Sequence, residues 1–472
     1  MGGHRIPGPR AGGVTEPSPA AQAGGPRTEP PGGRAPPPVS SRRRRLLSVS
    51  SLRPLRRRDF ALVWSAALVS NVGSWMQTVA VGVLVTARTH QAGWTGLVAA
   101  AAFLPVGVLS PVGGAMADRV DRRRWLLGTT VGETAFATLL AGLALTGHAS
   151  PGAVTVTVLG GGMMAALGFP AYQAILPDLV SREDLLGAIS LSSAQFNLGR
   201  VVGPALAGLV LALGSYSLAF AVNAASFGAV MVALAVVRIS PPAPDAEGGT
   251  LHRRIVTGMR AAAAEPGCRL AIGAIAVTAL LVSPFIALIP AVALQLFGRG
   301  EAGTSVLVTA QGVGAVAGAL ALAPLARRFG RRRALEASLA GVGVAVVGYA
   351  VAPSLPVAAA ALVAVGAAYI GVLSGLNTVV QVRAPGAFRA RILSLYMVAL
   401  GTIYPVGAVL QGVLDDRFGL RAVTAGCALV FLAVVGGLRA LRPDLASVLD
   451  DPAPAPLGAV RSRPASTRRP PG

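Results

Sequence analysis

Apolar residues in this chain come in long runs that are separated by short polar segments. Most runs are close to the ~20 residues that a helix needs to cross a ~30 Å hydrocarbon layer. Backbone polar groups inside lipid must bond within their own segment, so each run is predicted to be a membrane-spanning helix. The twelve predicted spans are 60–86, 93–117, 124–146, 150–173, 186–213, 215–237, 269–297, 302–325, 334–352, 355–381, 391–414 and 420–441.

Composition supports a lipid bilayer as the main solvent of this chain. Charged residues make up 13% of the sequence and apolar residues 53%, with a mean hydropathy of +0.64, whereas soluble domains carry about 25% charged residues. The chain contains no lysine, so a nucleotide-binding loop of the GxxxxGK[ST] type is excluded. Its two cysteines and four histidines suggest no disulfide framework and no metal or other cofactor.

The net charge of +22 does not indicate nucleic acid, because the arginines sit in the tails and in every second loop. Loops with excess arginine stay in the cytoplasm. Twelve spans with this alternation predict a multi-pass protein of the inner (plasma) membrane with both termini in the cytoplasm. The basic segments include 42–45, 56–58, 119–124, 253–260, 327–333 and 383–389.

The sequence also repeats itself at an offset of 209 residues. Asp118-Arg119-Val-Asp-Arg-Arg-Arg124 follows the second span, and Arg327-Arg-Phe-Gly-Arg-Arg-Arg333 follows the eighth. Parallel repeats of this kind predict two six-helix bundles that face each other across a central site. The predicted division is a disordered cytoplasmic tail (1–58), an N-terminal bundle (59–238), a cytoplasmic linker (239–267), a C-terminal bundle (268–442) and a second disordered tail (443–472).

The loop after the second span resembles the signature of the major facilitator superfamily, G-x-x-x-D-R-x-G-R-R. It reads from Gly114 through Asp118 to Arg124, with Asp121 where the commonest form has glycine. The resemblance implies an all-α fold of twelve spanning helices in two bundles. It also implies a conformational latch in which Asp118 meets positive charge and a helix N-terminus, a favourable contact of ~0.3–1 kcal/mol. The latch residues would be Gly114, Asp118, Arg119, Arg122 and Arg123, although membrane orientation alone would also explain the arginines.

Ser70-Asn-Val-Gly-Ser-Trp-Met-Gln77 is similar to the superfamily branch that holds siderophore and drug exporters. This resemblance implies a monomeric secondary transporter that uses alternating access and protons to export a small amphipathic molecule such as a drug, siderophore or secreted metabolite. An uptake permease of the same fold is the first alternative. A membrane-embedded enzyme is disfavoured because no histidine or aspartate pair lies inside a span, and a receptor without transport activity is a further alternative.

A glycine-rich stretch in the fifth span, Gly199, Gly203, Pro204 and Gly208, is similar to the antiporter motif of exporters of this superfamily. Glycines at this spacing let a neighbouring helix approach closely, and the proline permits a bend. Helix packing alone is the competing interpretation.

Two charged residues, Glu133 and Arg200, fall deep inside predicted spans. Each costs about 2.5–3.5 kcal/mol at a helix centre, so such residues face a cavity or a partner. We expect Glu133 to carry the coupling proton, with the nearby Arg200 tuning it; the alternatives are a structural ion pair or a carboxylate tethered to a neighbouring helix. For Arg200 the two interpretations are contact with an anionic substrate and a structural pairing.

Uncharged polar residues inside the spans are candidates for the cavity lining, against interhelical hydrogen bonding that is worth about 0.6 kcal/mol on average. These candidates are Asn71, Gln77, Gln195, Asn197, Asn223, Gln311, Asn377, Tyr396 and Tyr404.

Overall fold

The structure, a computed structural model, describes residues 52–213, 215–237, 251–385 and 388–441, and contains no strand within these ranges. Twelve helical spans are long and apolar enough to cross a membrane, as the hydrophobic pattern predicted. The helices are α1 (Arg58–Thr89), α2 (Ala92–Arg119), α3 (Arg122–Leu145), α4 (Pro151–Ile175), α5 (Leu185–Ala212), α6 (Tyr216–Val236), α7 (Leu251–Ala264), α8 (Pro266–Leu281), α9 (Phe285–Gln295), α10 (Gly300–Phe329), α11 (Arg331–Ala350), α12 (Leu355–Arg383), α13 (Arg389–Phe418) and α14 (Leu420–Leu441).

The predicted tails lie outside the described residues except at residues 52–58. There a 3-10 turn, Arg53–Arg56, precedes α1. Arg53 and Arg57 reach the buried carboxylate of Asp184 at 3.5 and 3.4 Å, which anchors this end of the chain to the start of α5.

Side chains at the helix starts explain where several spans begin. Asp121 accepts a hydrogen bond from the Arg124 amide at 2.8 Å at the start of α3, and Glu265 accepts one from the Cys268 amide at 2.6 Å at the start of α8. These bonds satisfy amides that a first helical turn leaves unpaired. Gly419 has a φ of 86°, which allows α13 to turn into α14 within one residue.

The predicted seventh span, 269–297, is not one helix but two, α8 and α9. Ser283 and Pro284 both lie within the break, between Leu281 and Phe285. The Ser283 hydroxyl is 2.9 Å from the Tyr369 hydroxyl and 3.2 Å from the Thr278 carbonyl oxygen. These contacts give hydrogen-bond partners to polar groups at the break, because lipid offers none. Part of the predicted linker, 251–264, is also helical (α7).

Helices α1–α6 pack together as the N-terminal bundle, and α8–α14 pack together as the C-terminal bundle. The bundles meet mainly where α2 packs on α13 and where α5 packs on α10. One side of the molecule carries Arg119–Arg124 and Arg327–Arg333 and is named the arginine-rich side. The other, where α2 and α10 begin, is the arginine-poor side.

The backbones of α2 and α13 touch because glycines face each other across the interface. A Cβ added to Gly107 would lie 2.8 Å from the carbonyl carbon of Gly401, so neither helix tolerates a larger residue there without moving. Small residues at interfaces allow this approach between membrane helices.

Candidate functional site

Two adjoining cavities occupy the interior of the N-terminal bundle and its border with the C-terminal bundle. Cavity A, about 200 Å³, is lined by α1–α4 and α6 and by side chains of α9, α10 and α13. Cavity B, about 250 Å³, lies nearer the arginine-rich side and is lined by α1 and α3–α6. Their walls are mainly apolar, with the aromatic side chains Trp75, Phe103, Phe136, Phe169, Tyr172, Phe196, Phe227 and Tyr404.

Glu133 lies where the two cavities meet, because it lines both of them together with Ser74 and Phe227. It sits at the middle of α3 and is half-buried. The structure gives its carboxylate no hydrogen bond or ion pair to any residue that it describes. A carboxylate in such a place must carry a proton or meet a cationic group to be stable.

The structure brings five of the nine predicted cavity residues to these cavities. Asn71 and Gln195 line cavity B, whereas Gln77, Asn223 and Tyr404 line cavity A.

Several of these side chains are also tied to neighbouring helices. Asn223 donates to Gln77 Oε1 at 2.9 Å, and Gln195 donates to the Ala67 carbonyl oxygen at 2.7 Å. Asn71 donates to the carbonyl oxygens of α5 at 3.3 and 3.4 Å. Hydrogen bonding between helices and cavity lining therefore coexist at these residues.

The other four predicted cavity residues line neither cavity. Asn197 bonds within its own helix to the Ser193 carbonyl oxygen, and Asn377 accepts from Gln381 one turn along α12. Tyr396 is buried and donates to the Leu373 carbonyl oxygen at 2.9 Å. Gln311 is buried at the interface between the bundles.

Arg200 does not form an ion pair with Glu133. Its guanidinium donates to Gln311 Oε1 at 3.1 Å across the interface and lies 5.5 Å from the ring centre of Trp75, a cation–π contact. The structure therefore shows no ion pair between Arg200 and Glu133. Arg200 joins α5 of one bundle to α10 of the other.

The glycines of the fifth span provide close helix packing. A Cβ added to Gly203 would lie 2.6 Å from Trp75 Cβ, and one added to Gly199 would lie 2.7 Å from Asn71 Nδ2, so both pack on α1. Gly208 faces Ser305 of the other bundle in the same way, and the Ser305 hydroxyl donates to the Pro204 carbonyl oxygen at 2.8 Å. All three glycines thus pack against a neighbouring helix, and a role of the motif in antiport stays a prediction.

The loop motif after α2 is partly described. Arg122 pairs with Asp178 at 3.2 Å, and Arg123 donates to the Ala235 carbonyl oxygen at 2.6 Å; both contacts stay within the N-terminal bundle. Arg119 is exposed, and a Cβ at Gly114 would meet only Pro170 at ordinary contact distance. The side chain of Asp118 is outside the described part of the chain, so the latch stays a prediction.

Hydrogen bonds join the two bundles at the arginine-poor side. Asp416 of α13 accepts from the Ala92 and Gly93 amides of α2 at 2.6 and 2.9 Å. The Tyr216 hydroxyl donates to Glu301 Oε1 at 2.7 Å, linking α6 with α10. Together with the Ser305 and Arg200 contacts, these bonds close the arginine-poor side.

Sequence reasoning missed Asp415, Asp416 and Glu301, because the predicted spans stopped just short of them and treated them as loop residues. The available signal was a pair of adjacent acidic residues at the end of a predicted span. The start of α2, which they face in the structure, has no side-chain cap of its own. Among the described residues no group of three or more His, Cys, Asp or Glu is placed to hold a metal ion.

Comparison with known proteins places this geometry among transporters. The family model described as "Transmembrane secretion effector" matches residues 49–459. The multidrug efflux pump Tap of Mycolicibacterium fortuitum is 30% identical over 389 residues, which cover 80% of this chain and 94% of the pump. The enterobactin exporter EntS of Citrobacter koseri is 27% identical over 431 residues, 88% of this chain and 98% of the exporter.

Solved structures share the fold. A bacterial homolog of the human lysosomal transporter Spinster, in an inward-facing and occupied conformation, superposes with a TM-score of 0.67 at 15% identity, covering 85% of this chain and 99% of that one. A bacterial homologue of the iron transporter ferroportin in an inward-facing state gives a TM-score of 0.62 at 18% identity, covering 83% and 99%. The twelve-helix fold predicted from the loop motif is confirmed.

Proposed function

Because the chain belongs to the transmembrane secretion effector family of the major facilitator superfamily, we propose that this transporter exports lipophilic cations in exchange for protons. The observation that carries the proposal is Glu133, a carboxylate between two apolar cavities that has no hydrogen bond or ion pair to any described residue. Substrate class, direction and coupling ion are all part of the proposal.

The walls of the cavities support an amphipathic cation as substrate. Aromatic rings such as Trp75, Phe103 and Tyr404 offer apolar area and attract cations through their faces. Glu133 is the carboxylate that would neutralise the bound charge. Arg200 is directed into the bundle interface by Gln311 and Trp75, so it is less available to an anionic substrate.

Proton exchange would follow from the carboxylate of Glu133, which lines both cavities. A proton and a cationic substrate cannot both neutralise Glu133, so binding of one releases the other. A protonated Glu133 would accompany the empty carrier, and an ionised Glu133 the loaded one. This competition couples the two fluxes without requiring an ion pair to Arg200.

The distribution of arginine supports an orientation with the arginine-rich side and both termini in the cytoplasm. In that orientation the closed arginine-poor side faces outward, and the structure corresponds to an inward-facing state. We propose that the bundles 59–238 and 268–442 rock against each other as a monomer, which exposes the cavities to each side in turn.

The test uses everted membrane vesicles that are acidified inside. The wild type should accumulate a lipophilic cationic dye, and Glu133→Gln should reduce proton-driven accumulation to the level of vesicles without the protein. Glu336→Gln is the matched control, because Glu336 is already paired with Arg332 and Arg439, at 2.9 and 2.6 Å, and should leave accumulation unchanged.

Two results would contradict the proposal. Full proton-driven accumulation by Glu133→Gln would remove Glu133 as the coupling residue. Accumulation of anionic siderophores rather than cations, lost in Arg200→Met, would assign the substrate charge to Arg200 instead.

A further inference from the structure

A second buried carboxylate lies far from cavities A and B, at the arginine-poor end of α13. Asp415 is 5% exposed, and neither of its carboxylate oxygens has a hydrogen-bond partner among the described residues. Its titratable neighbours are Tyr349 of α11, Cys427 of α14 and the adjacent Asp416. None of these brings a positive charge, and no described arginine forms an ion pair with Asp415.

The neighbouring residue, Asp416, has the opposite environment. Its two carboxylate oxygens accept from the Ala92 and Gly93 amides at 2.6 and 2.9 Å, so it caps a helix of the other bundle. The start of α2 has no cap from its own Gln91. Unpaired amides and the helix dipole at this position favour a negative charge. Asp416 therefore holds the two bundles together by capping α2.

The fit around this cap is tight. A Cβ on Gly93 would lie 2.7 Å from Asp416 Oδ2, and a Cβ on Gly412 would lie 2.6 Å from the Ala92 carbonyl oxygen. The two helix backbones meet closely here, while the Asp416 side chain itself stays exposed. An ionised Asp415 would be a buried charge with no hydrogen-bond partner among the described residues, next to a second carboxyl group, and both conditions make its ionisation unfavourable.

We propose that Asp415 is a proton-binding site that controls the closing of the arginine-poor side. When Asp415 carries a proton, the cap between Asp416 and α2 forms and the side closes. When Asp415 loses that proton, its buried charge needs water, so the end of α13 moves away from α11 and α14 and the bond between Asp416 and α2 breaks. This inference rests on the proposed alternating access but not on the substrate, and it separates the site that closes the outer side from Glu133.

The direction of the pH effect follows from this assignment. Acid protonates Asp415 and favours the closed arginine-poor side, whereas alkali ionises it and favours the open side. An exporter that has released its substrate into an acidic exterior would thereby be returned to its inward-facing state.

The experiment measures opening directly on the full chain in lipid nanodiscs without substrate. Spin labels at Thr146→Cys and Val351→Cys, which are exposed ends of the two bundles on the arginine-poor side, report their separation by pulsed electron paramagnetic resonance. Cys268 and Cys427 are replaced by alanine in every sample. We expect the labelled parent to shift toward longer distances from acidic to alkaline pH.

Variants separate the two carboxylates. Asp415→Asn should keep the short distance at every pH, and Asp416→Ala, which has no side-chain oxygen to cap α2, should populate the long distance even in acid. Glu133→Gln and Glu336→Gln should retain the pH dependence of the parent. If Asp415→Asn does not insert, Asp415→Glu should keep the pH dependence with a displaced midpoint.

A pH dependence that survives in Asp415→Asn overturns the proposal, as does a parent whose label distance ignores pH. Loss of the pH dependence in Glu133→Gln alone would assign the switch to Glu133. Because no substrate is present, these outcomes do not depend on whether the exported molecule is a cation.

Discussion

In the C-terminal bundle, buried apolar side chains from α8 to α14 form one continuous core, whereas those of the N-terminal bundle fall into separate clusters. One N-terminal cluster lies near each side of the molecule, and cavities A and B lie between them. The two bundles share a sequence repeat but differ in how completely their interiors are packed. The N-terminal bundle leaves cavities between its clusters, whereas the C-terminal bundle is packed continuously and carries Asp415 and Asp416.

The largest expected effect compares one phenylalanine from each region. Phe285 is buried in the continuous core, with ring centres 6.5 and 6.0 Å from those of Tyr349 and Tyr369. Phe285→Ala should lower the free energy of unfolding by about 3–5 kcal/mol. Phe103→Ala, which removes a half-buried ring from cavity A, should cost far less but weaken dye transport. Thermal unfolding in detergent checks both, and equal losses of stability would erase the distinction between the bundles.

A medium effect is expected at the interface. Arg200→Met removes a hydrogen bond from a charged donor, a contact worth about 1.5–3 kcal/mol, and so should increase the population open at the arginine-poor side. Arg88→Met is the matched control, because Arg88 donates to the Ala149 carbonyl oxygen inside one bundle. The spin-label distance measures the outcome, and the interface role fails if the two variants open the molecule equally.

A smaller effect tests the asymmetry of the repeat, in which Asp118 is matched by Arg327. Asp118→Asn should slow dye export while leaving the amount of inserted protein unchanged, because a latch worth ~0.3–1 kcal/mol is lost. Asp121→Asn should transport normally, since asparagine preserves the cap of α3. Normal export by Asp118→Asn would leave the arginines of this loop with an orienting role only.

The smallest effect concerns a single neutral hydrogen bond. Ser305→Ala removes the bond to the Pro204 carbonyl oxygen between the bundles and should shift the open and closed populations by about 0.6 kcal/mol. Ser338→Ala removes a bond within α11, to the Ala334 carbonyl oxygen, and should shift nothing. The label distances again discriminate, and a larger shift in Ser338→Ala would contradict the interface account.

Hydrophobic periodicity predicted the spans, because lipid imposes a length and a composition on every segment that crosses it. It also singled out Glu133, since a charge in a span is costly wherever the helix points. It could not show that Arg200 bonds to Gln311 and not to Glu133, because helix rotation is set by packing. Nor could it find Asp416, whose partners Ala92 and Gly93 lie more than 300 residues away in the chain.

If the two bundles rock against each other as proposed, the backbone contact between Gly107 and Gly401 lies where the motion pivots. Gly107 lies past the midpoint of the 28-residue α2, so opening of one side and closing of the other would swing about this point with the least displacement there. The displacement of residues in α2 and α13 would then grow with their distance from the two glycines. A small molecule bound between Gly107 and Gly401 would then inhibit transport without binding the export site, because it would block this motion.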